Sequence, residues 1–311
     1  DVLDGFATDV LNYYTAESSP DSLIAGRVVS NVYYLFGTKT IEPWVQSGDS
    51  TDPFAVQEGL IQQTGAACRD GIIEADNTLF FVDDAFNACR LESGSSSILN
   101  IEDPWVTDLL QDAGASDIVK LTYSDRAHTF IGWRTSDGCV FYDGLTKTFH
   151  TRGTLNTDTW RYTDMVEASA RVFVCDATGQ FDDLSRDYFS ESMANTTTMG
   201  TEIQRLMTAI VPTQSGRMAI KTVKVEGSKG GGLSTGQGSD PLIEMRQSKD
   251  GGNTFTSWMS RKLGAIGAYS QRSIWRRRGR ARDQGVVFQF RKSDPIRAAY
   301  TGVVINEDGM R

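Results

Sequence analysis

The chain has 311 residues, 40 acidic and 31 basic, and a formal net charge of −9. Apolar residues make up 39% and charged residues 23%, a composition that excludes a largely disordered chain. No run of this sequence approaches the roughly 20 apolar residues of a membrane helix.

The first half of the chain repeats one pattern of short strands. An aromatic-rich strand preceded by a polar turn occurs four times, at residues 31–37, 77–84, 128–138 and 170–179. Each copy follows one strand and precedes another, and the interval is about 40–50 residues, a period typical of propeller blades. A plain antiparallel meander is the alternative. Because a propeller closes on itself, we expect these blades to be completed by sequence upstream of Asp1 or from downstream.

Helical periodicity is scarce, and it predicts two short helices. The first spans residues 104–113, where Pro104 takes the first helical position and Trp105, Leu109 and Ala113 share one face. The second lies around residues 202–210. The chain is therefore predicted to be all-β.

After residue 193 the pattern changes. Residues 194–200 are small and polar, which indicates a linker, and five alternating segments follow, at 218–227, 241–248, 256–264, 271–279 and 285–293. We predict a propeller over residues 1–193 and an antiparallel sheet or sandwich over 194–311. The glycine-rich segment 227–238 lies between two strands and contains no Gly-Lys-Ser/Thr, so it predicts a mobile hairpin loop rather than a phosphate site.

The net charge is unevenly distributed. Residues 1–150 carry 23 acidic and 8 basic residues, a net of −15, while residues 151–311 carry 17 acidic and 23 basic residues, a net of +6. The densest basic cluster is WRRRGRARD, with five arginines: Arg276, Arg277, Arg278, Arg280 and Arg282. It predicts either a surface that faces DNA or a partner, or a solvated strand end on which Arg277 shares the face of Trp275.

The segment SKDGGNTF matches the Asp-box pattern of a tight hairpin. Its pattern residues are Ser248, Asp250, Gly252, Thr254 and Phe255. Asp250 can accept amide hydrogen bonds across the turn while the glycines take positive φ, and Phe255 is expected to anchor the hairpin to a core. The pattern indicates a hairpin and gives little support to any activity.

The remaining residue patterns predict no catalytic, metal or cofactor site. Ser124, Asp125 and His128 lie in one local turn, whereas the members of a catalytic triad converge from separate elements. The other histidine is His150, and the cysteines at 68, 89, 139 and 175 have neither disulfide nor zinc spacing.

The chain resembles the packaged-DNA stabilisation proteins of short-tailed phages, also called tail nozzle or hub proteins. The resemblance rests on SDPLIEMRQSKDGGNTFTSWMSRKLGAIGAYSQRSIWRRRGRARD and SDPIRAAYTGVVIN downstream, and on TAESSPDSLIAGRVVSNVYYLFGTKTIEPWVQSGDSTDPF, TGAACRDGIIEADNTLFFV and HTFIGWRTSDGCVFYDGLTKTFHTRG upstream. Arg278 departs from the family, which more often has an apolar residue there.

The resemblance implies a structural virion protein without enzymatic activity or cofactor. It implies a homo-hexameric ring below the head–tail adaptor ring, with tail fibre, tailspike or needle proteins as neighbours and double-stranded DNA in its channel. Such a ring plugs the channel, retains the packaged genome and opens for ejection, and it is assembled in the host cytoplasm without a membrane anchor. The alternatives are a carbohydrate-binding or sialidase-like propeller of a tail and a cellular scaffold propeller.

Overall fold

The computed structural model describes residues 20–49, 53–95, 98–101, 103–154, 157–185, 190–192, 199–212, 217–281 and 285–306. Two compact units divide the chain, Asp1–Leu184 and Ser185–Arg311. The described residues are mostly strand, in small antiparallel sheets, which confirms the all-β prediction.

The first unit contains four sheets, A to D, that follow one another along the chain. Sheet A consists of β1 (Leu23–Val29), β2 (Val32–Gly37), β3 (Ile41–Gln46) and β4 (Phe54–Val56). Sheet B consists of β5 (Ile73–Ala75), β6 (Thr78–Val82), β7 (Ala88–Glu92) and β8 (Leu99–Asn100). Sheet C consists of β9 (Val119–Asp125), β10 (His128–Arg134), β11 (Cys139–Asp143) and β12 (Thr148–Thr151). Sheet D consists of β13 (Tyr162–Ala168), β14 (Arg171–Asp176) and β15 (Phe181–Asp183).

The turn between the first two strands of a sheet shows why the repeat forms. In sheets A, B and D this turn is a residue pair with positive φ at both positions: Ser30–Asn31, Asp76–Asn77 and Ser169–Ala170. Two positive φ values define the type I′ turn, whose twist matches that of the flanking strands. The predicted second strands of all four repeats are confirmed as β2, β6, β10 and β14.

Consecutive sheets pack face to face, as blades do. In β6, Leu79 and Phe81 enter the core shared with sheet A, while Phe80 and Val82 enter the core shared with sheet C. The Phe81 ring meets Phe36 of sheet A edge to face, with centroids 5.5 Å apart. Both faces of sheet B are thus buried, and sheets C and D share a third core.

The far side of sheet A is open. Tyr33, Leu35 and Trp44 line an apolar groove of about 1100 Å³ on it, and Tyr33 is 41% exposed. This face has the apolar character of a surface that packs against another blade. The prediction of further blades stays a prediction.

The helix α1 (Pro104–Ala113) confirms the first helix prediction. Val106 and Leu110 are fully buried in the core between sheets B and C, Leu109 of the predicted face packs against the same core, and Trp105 is 39% exposed. Two 3₁₀ turns, Glu58–Leu60 and Arg69–Gly71, complete the helical elements of the described residues. No helix in the described part of the chain is long and apolar enough to cross a membrane.

The second unit contains a two-stranded hairpin and two larger sheets, E and F. The hairpin consists of β16 (Ser190–Ser192) and β17 (Met199–Glu202). The remaining strands are β18 (Arg205–Val211), β19 (Met218–Gly227), β20 (Leu242–Ser248), β21 (Met259–Lys262), β22 (Ile274–Ala281), β23 (Val286–Lys292) and β24 (Tyr300–Ile305). Sheet E has the order β18-β23-β20-β21, and sheet F the order β22-β19-β24. One core joins the two sheets, with Trp275 of sheet F and Phe288 of sheet E fully buried in it.

Two expectations for this unit are wrong. The predicted second helix is mostly β18, since Met207, Ala209 and Val211 alternate toward the core with the period of a strand. The glycine-rich segment is not a hairpin loop, because it connects β19 of sheet F to β20 of sheet E. It packs closely there: a Cβ on Gly232 would lie 2.8 Å from the Ser239 carbonyl oxygen.

Candidate basic surface on the sandwich

Strand β22 contains a β-bulge within its arginine run. Ile220 of β19 pairs with Gly279 of β22, and Thr222 pairs with Arg276, so β22 has one residue more than β19 between these pairs. Arg277 has a φ of +58°, a left-handed conformation that is uncommon for a residue with a side chain.

The bulge cancels the regular alternation of the strand. Trp275 and Ala281 are buried, but Arg276, Arg277 and Arg280 between them are exposed and Arg278 is half-buried. The expectation that Arg277 shares the face of Trp275 is therefore wrong, because the extra residue lets two successive arginines reach solvent. Arg282 lies outside the described residues.

Among the described arginines of this run, Arg278 is the one that packs against the protein. Its guanidinium lies against the Met259 sulfur and donates a 2.8 Å hydrogen bond from Nε to the Arg276 carbonyl oxygen. Burial lowers the pKa of the Arg278 guanidinium, and the charge of Arg261 lowers it further. Arg261 is exposed and donates from Nε to the Ile274 carbonyl oxygen at 2.9 Å, so it lies beside the start of β22.

The Asp-box residues form a hydrogen-bonded turn after β20. Asp250 accepts hydrogen bonds from the Thr254 amide at 2.9 Å and from the Ser248 hydroxyl at 2.5 Å, and Gly252 donates to the Ser248 oxygen at 2.9 Å. The hydrogen bonds from Ser248 and Thr254 hold the pKa of the Asp250 carboxyl below its usual range. Phe255 is half-buried under the guanidinium of Arg246, 4.4 Å from its ring centre, and is not part of the sandwich core.

The Asp-box turn lies beside the bulge. The Gln247 side-chain amide donates to the Arg278 carbonyl oxygen at 3.1 Å. Lys249 reaches over the bulged strand, where its Nζ is 2.5 Å from the point at which a Cβ on Gly279 would lie. The Asp-box turn and the arginine run, two separate sequence patterns, thus form one surface. The turn adds the positive charge of Lys249 to it.

We call this surface the arginine face and define it by six cationic residues: Lys249, Arg261, Arg276, Arg277, Arg278 and Arg280. Within the part of the chain that the structure describes, no carboxylate forms an ion pair with any of them. The sequence indicated the four β22 residues by their density. Lys249 and Arg261 were missed because only the fold brings them to β22.

The residues considered for catalysis have structural contacts instead. His128 pairs with Asp125 across the hairpin of β9 and β10, but its Nδ1 lies 2.7 Å from Asp143, a carboxylate that also caps the next turn by accepting from the Leu145 amide. Cys89 and Cys139 are buried, and burial raises the pKa of the Cys139 thiol to about 12. Among the described residues no three His, Cys, Asp or Glu side chains are grouped so as to hold a metal ion.

Comparisons with known proteins fit this architecture. Two family profiles match, bacteriophage P22 Gp10 beta-propeller over residues 1–89 and bacteriophage P22 Gp10 beta-sandwich over residues 203–307. Together they cover more than half of the chain and occur in the order of the two units described above. No curated protein matches the chain in sequence.

Solved structures resemble the chain only weakly. The computationally designed Ika4 protein is 15% identical, with 54% of this chain and 94% of that one covered and a TM-score of 0.34. The exo-beta-1,3-galactanase of Phanerochaete chrysosporium, solved with galactose, is 7% identical. The match covers 92% of this chain and 82% of the galactanase chain, with a TM-score of 0.31. Likenesses at this level carry no argument about function.

A β-propeller followed by a β-sandwich, with both profiles from one phage protein, defines a structural component of a phage tail rather than an enzyme. The chain belongs to the family of bacteriophage P22 Gp10, which confirms the resemblance read from its sequence.

Proposed function

We propose that this protein is the tail nozzle of a short-tailed phage. Six copies form a ring below the head–tail adaptor ring, prolong the DNA channel, close it over the packaged genome and open it for ejection. The observation that carries the proposal is the match of both domains, in order, to one phage structural protein. In the virion the ring contacts the adaptor above it and fibre, tailspike or needle proteins below it, after assembly in the host cytoplasm.

The charge distribution supports a role as a DNA conduit. A net charge of −15 on residues 1–150 repels phosphates, so acidic surface along or beside the channel lets DNA slide without adhering. The net charge of +6 on residues 151–311 suits a contact with an acidic neighbour or with the DNA itself. A single chain that carries both signs can also form head-to-tail contacts, which close into a ring when the rotation permits.

Electron microscopy of the purified protein tests the ring. We expect six-membered rings, formed by the protein alone or on the purified adaptor ring. A protein that stays monomeric under both conditions contradicts the proposal.

A further inference from the structure

We propose that the arginine face binds the phosphate backbone of double-stranded DNA. The inference deepens the proposed function, on which it rests, by assigning the DNA contact to six named residues of the sandwich. Phosphate contacts are made without reading the bases, so the predicted binding is independent of sequence.

The first support is a cluster of positive charges that no described carboxylate neutralises. Arg276, Arg277 and Arg280 are exposed on one short stretch of β22, and no described carboxylate pairs with them or with Lys249. Repulsion among arginines this close together is unfavourable in the free protein, and binding of a polyanion offsets it. Duplex DNA supplies one negative charge for about every 1.7 Å of its axis, a density that matches successive arginines on a strand.

The second support is the backbone conformation of Arg277. A left-handed φ at Arg277 costs free energy, and the bulge that requires it is also what keeps Arg277 from pointing toward the sandwich core. Bulges are over-represented beside functional sites, and the effect of this one is to present Arg276 and Arg277 side by side to solvent.

The third support distinguishes DNA from an acidic protein partner. Protein interfaces combine arginines with buried aromatic or other apolar anchors. Residues 276–280 of β22 are four arginines and one glycine, and they offer no such anchor. A surface that is polar and strongly positive throughout is typical of contacts with nucleic acid.

The salt dependence of DNA binding tests the proposal. The full chain is titrated onto a fluorescent 30-base-pair duplex between 50 and 200 mM KCl, and the logarithm of the affinity is plotted against that of the salt concentration. Each phosphate contact contributes about 0.9 to the slope. Replacing Arg276, Arg277 and Arg280 with glutamine should make the slope shallower by about 2.7, so the wild-type affinity falls about 40-fold more than that of the variant over this range.

Two further variants control for misfolding and for a non-specific effect of net charge. Lys249→Gln with Arg261→Gln leaves β22 intact and should make the slope shallower by up to about 1.8. The control removes three positive charges from the first unit by Lys39→Gln, Arg126→Gln and Lys147→Gln, and it should keep the wild-type slope. The intrinsic tryptophan fluorescence, to which Trp275 in the bulged strand contributes, should be the same in every variant.

The outcomes separate the inference from the proposed function. A shallower slope in both arginine-face variants, with rings still seen by electron microscopy, supports it. An unchanged slope, or an equal loss in the control, overturns it and leaves the nozzle proposal standing. Loss of rings with an unchanged slope overturns it in favour of a protein interface. A shallower slope in a protein that never forms rings supports DNA binding and contradicts the nozzle proposal.

Discussion

The bulge in β22 predicts that two neighbouring arginines respond in opposite ways to one substitution. Arg277 is held at a φ of +58°, whereas Arg276 pairs with Thr222 as an ordinary strand residue. Both side chains are exposed, and replacing either with glycine removes one positive charge. Arg277→Gly and Arg276→Gly therefore differ in their backbone conformation while losing the same charge.

The magnitude follows from two backbone effects. A left-handed conformation costs an L-residue about 1–2 kcal/mol, and glycine avoids this cost. Glycine also costs about 0.5–1 kcal/mol in chain entropy at any regular strand position. Arg277→Gly should therefore stabilise the sandwich by about 0.5–1 kcal/mol, and Arg276→Gly should destabilise it by about the same amount.

Urea unfolding of the full chain measures this difference. Hydrogen–deuterium exchange of peptides from β19 and β22 assigns the transition to the sandwich. The urea midpoint should rise for Arg277→Gly and fall for Arg276→Gly, with the denaturant slope unchanged. If both variants shift the midpoint in the same direction by the same amount, the reasoning about the bulge is refuted.

Three further predictions concern other parts of the chain. Phe80→Ala and Phe81→Ala should each destabilise the first unit by about 3–5 kcal/mol in urea unfolding, because the two rings fill different cores. A small effect of either substitution contradicts the packing of sheet B on both faces. Burial, aided by the charge of Arg152, lowers the pKa of His150 to about 4, so the unfolded chain binds this proton more tightly than the folded chain does. The free energy of unfolding should therefore fall as the pH drops from about 6.5 to 4. A His150→Phe variant that shows the same fall contradicts this prediction. Asp250→Asn should speed amide exchange of residues 248–256, because an amide accepts fewer of the hydrogen bonds made there, and unchanged exchange shows that the carboxylate does not order the turn.

The blades were predictable because their determinants are local. Each hairpin is defined by alternating apolar residues and by a short polar turn, so strands such as β6 and β14 are visible in the sequence alone. The bounds of α1 were predictable for the same reason, since Pro104 suits the first helical turn and Gly114 ends the helix with a φ of +73°.

The arginine face was only partly predictable. The bulge depends on the register between β19 and β22, which are distant in the sequence, and no local pattern marks Arg277 as left-handed. Lys249 and Arg261 join the arginine face only through the packing of sheets E and F. The segment that forms β18 was misread because its seven residues are too short to separate a helical period from an alternating one.

The proposed function, retention of the packaged DNA, is tested most directly by nuclease protection. Particles of the phage that encodes the chain are assembled without the protein and then completed with the purified wild-type protein. We expect incomplete particles to lose their genome to added nuclease, and the wild-type protein to restore a protected, full-length genome. Full protection in particles that lack the protein would contradict the account.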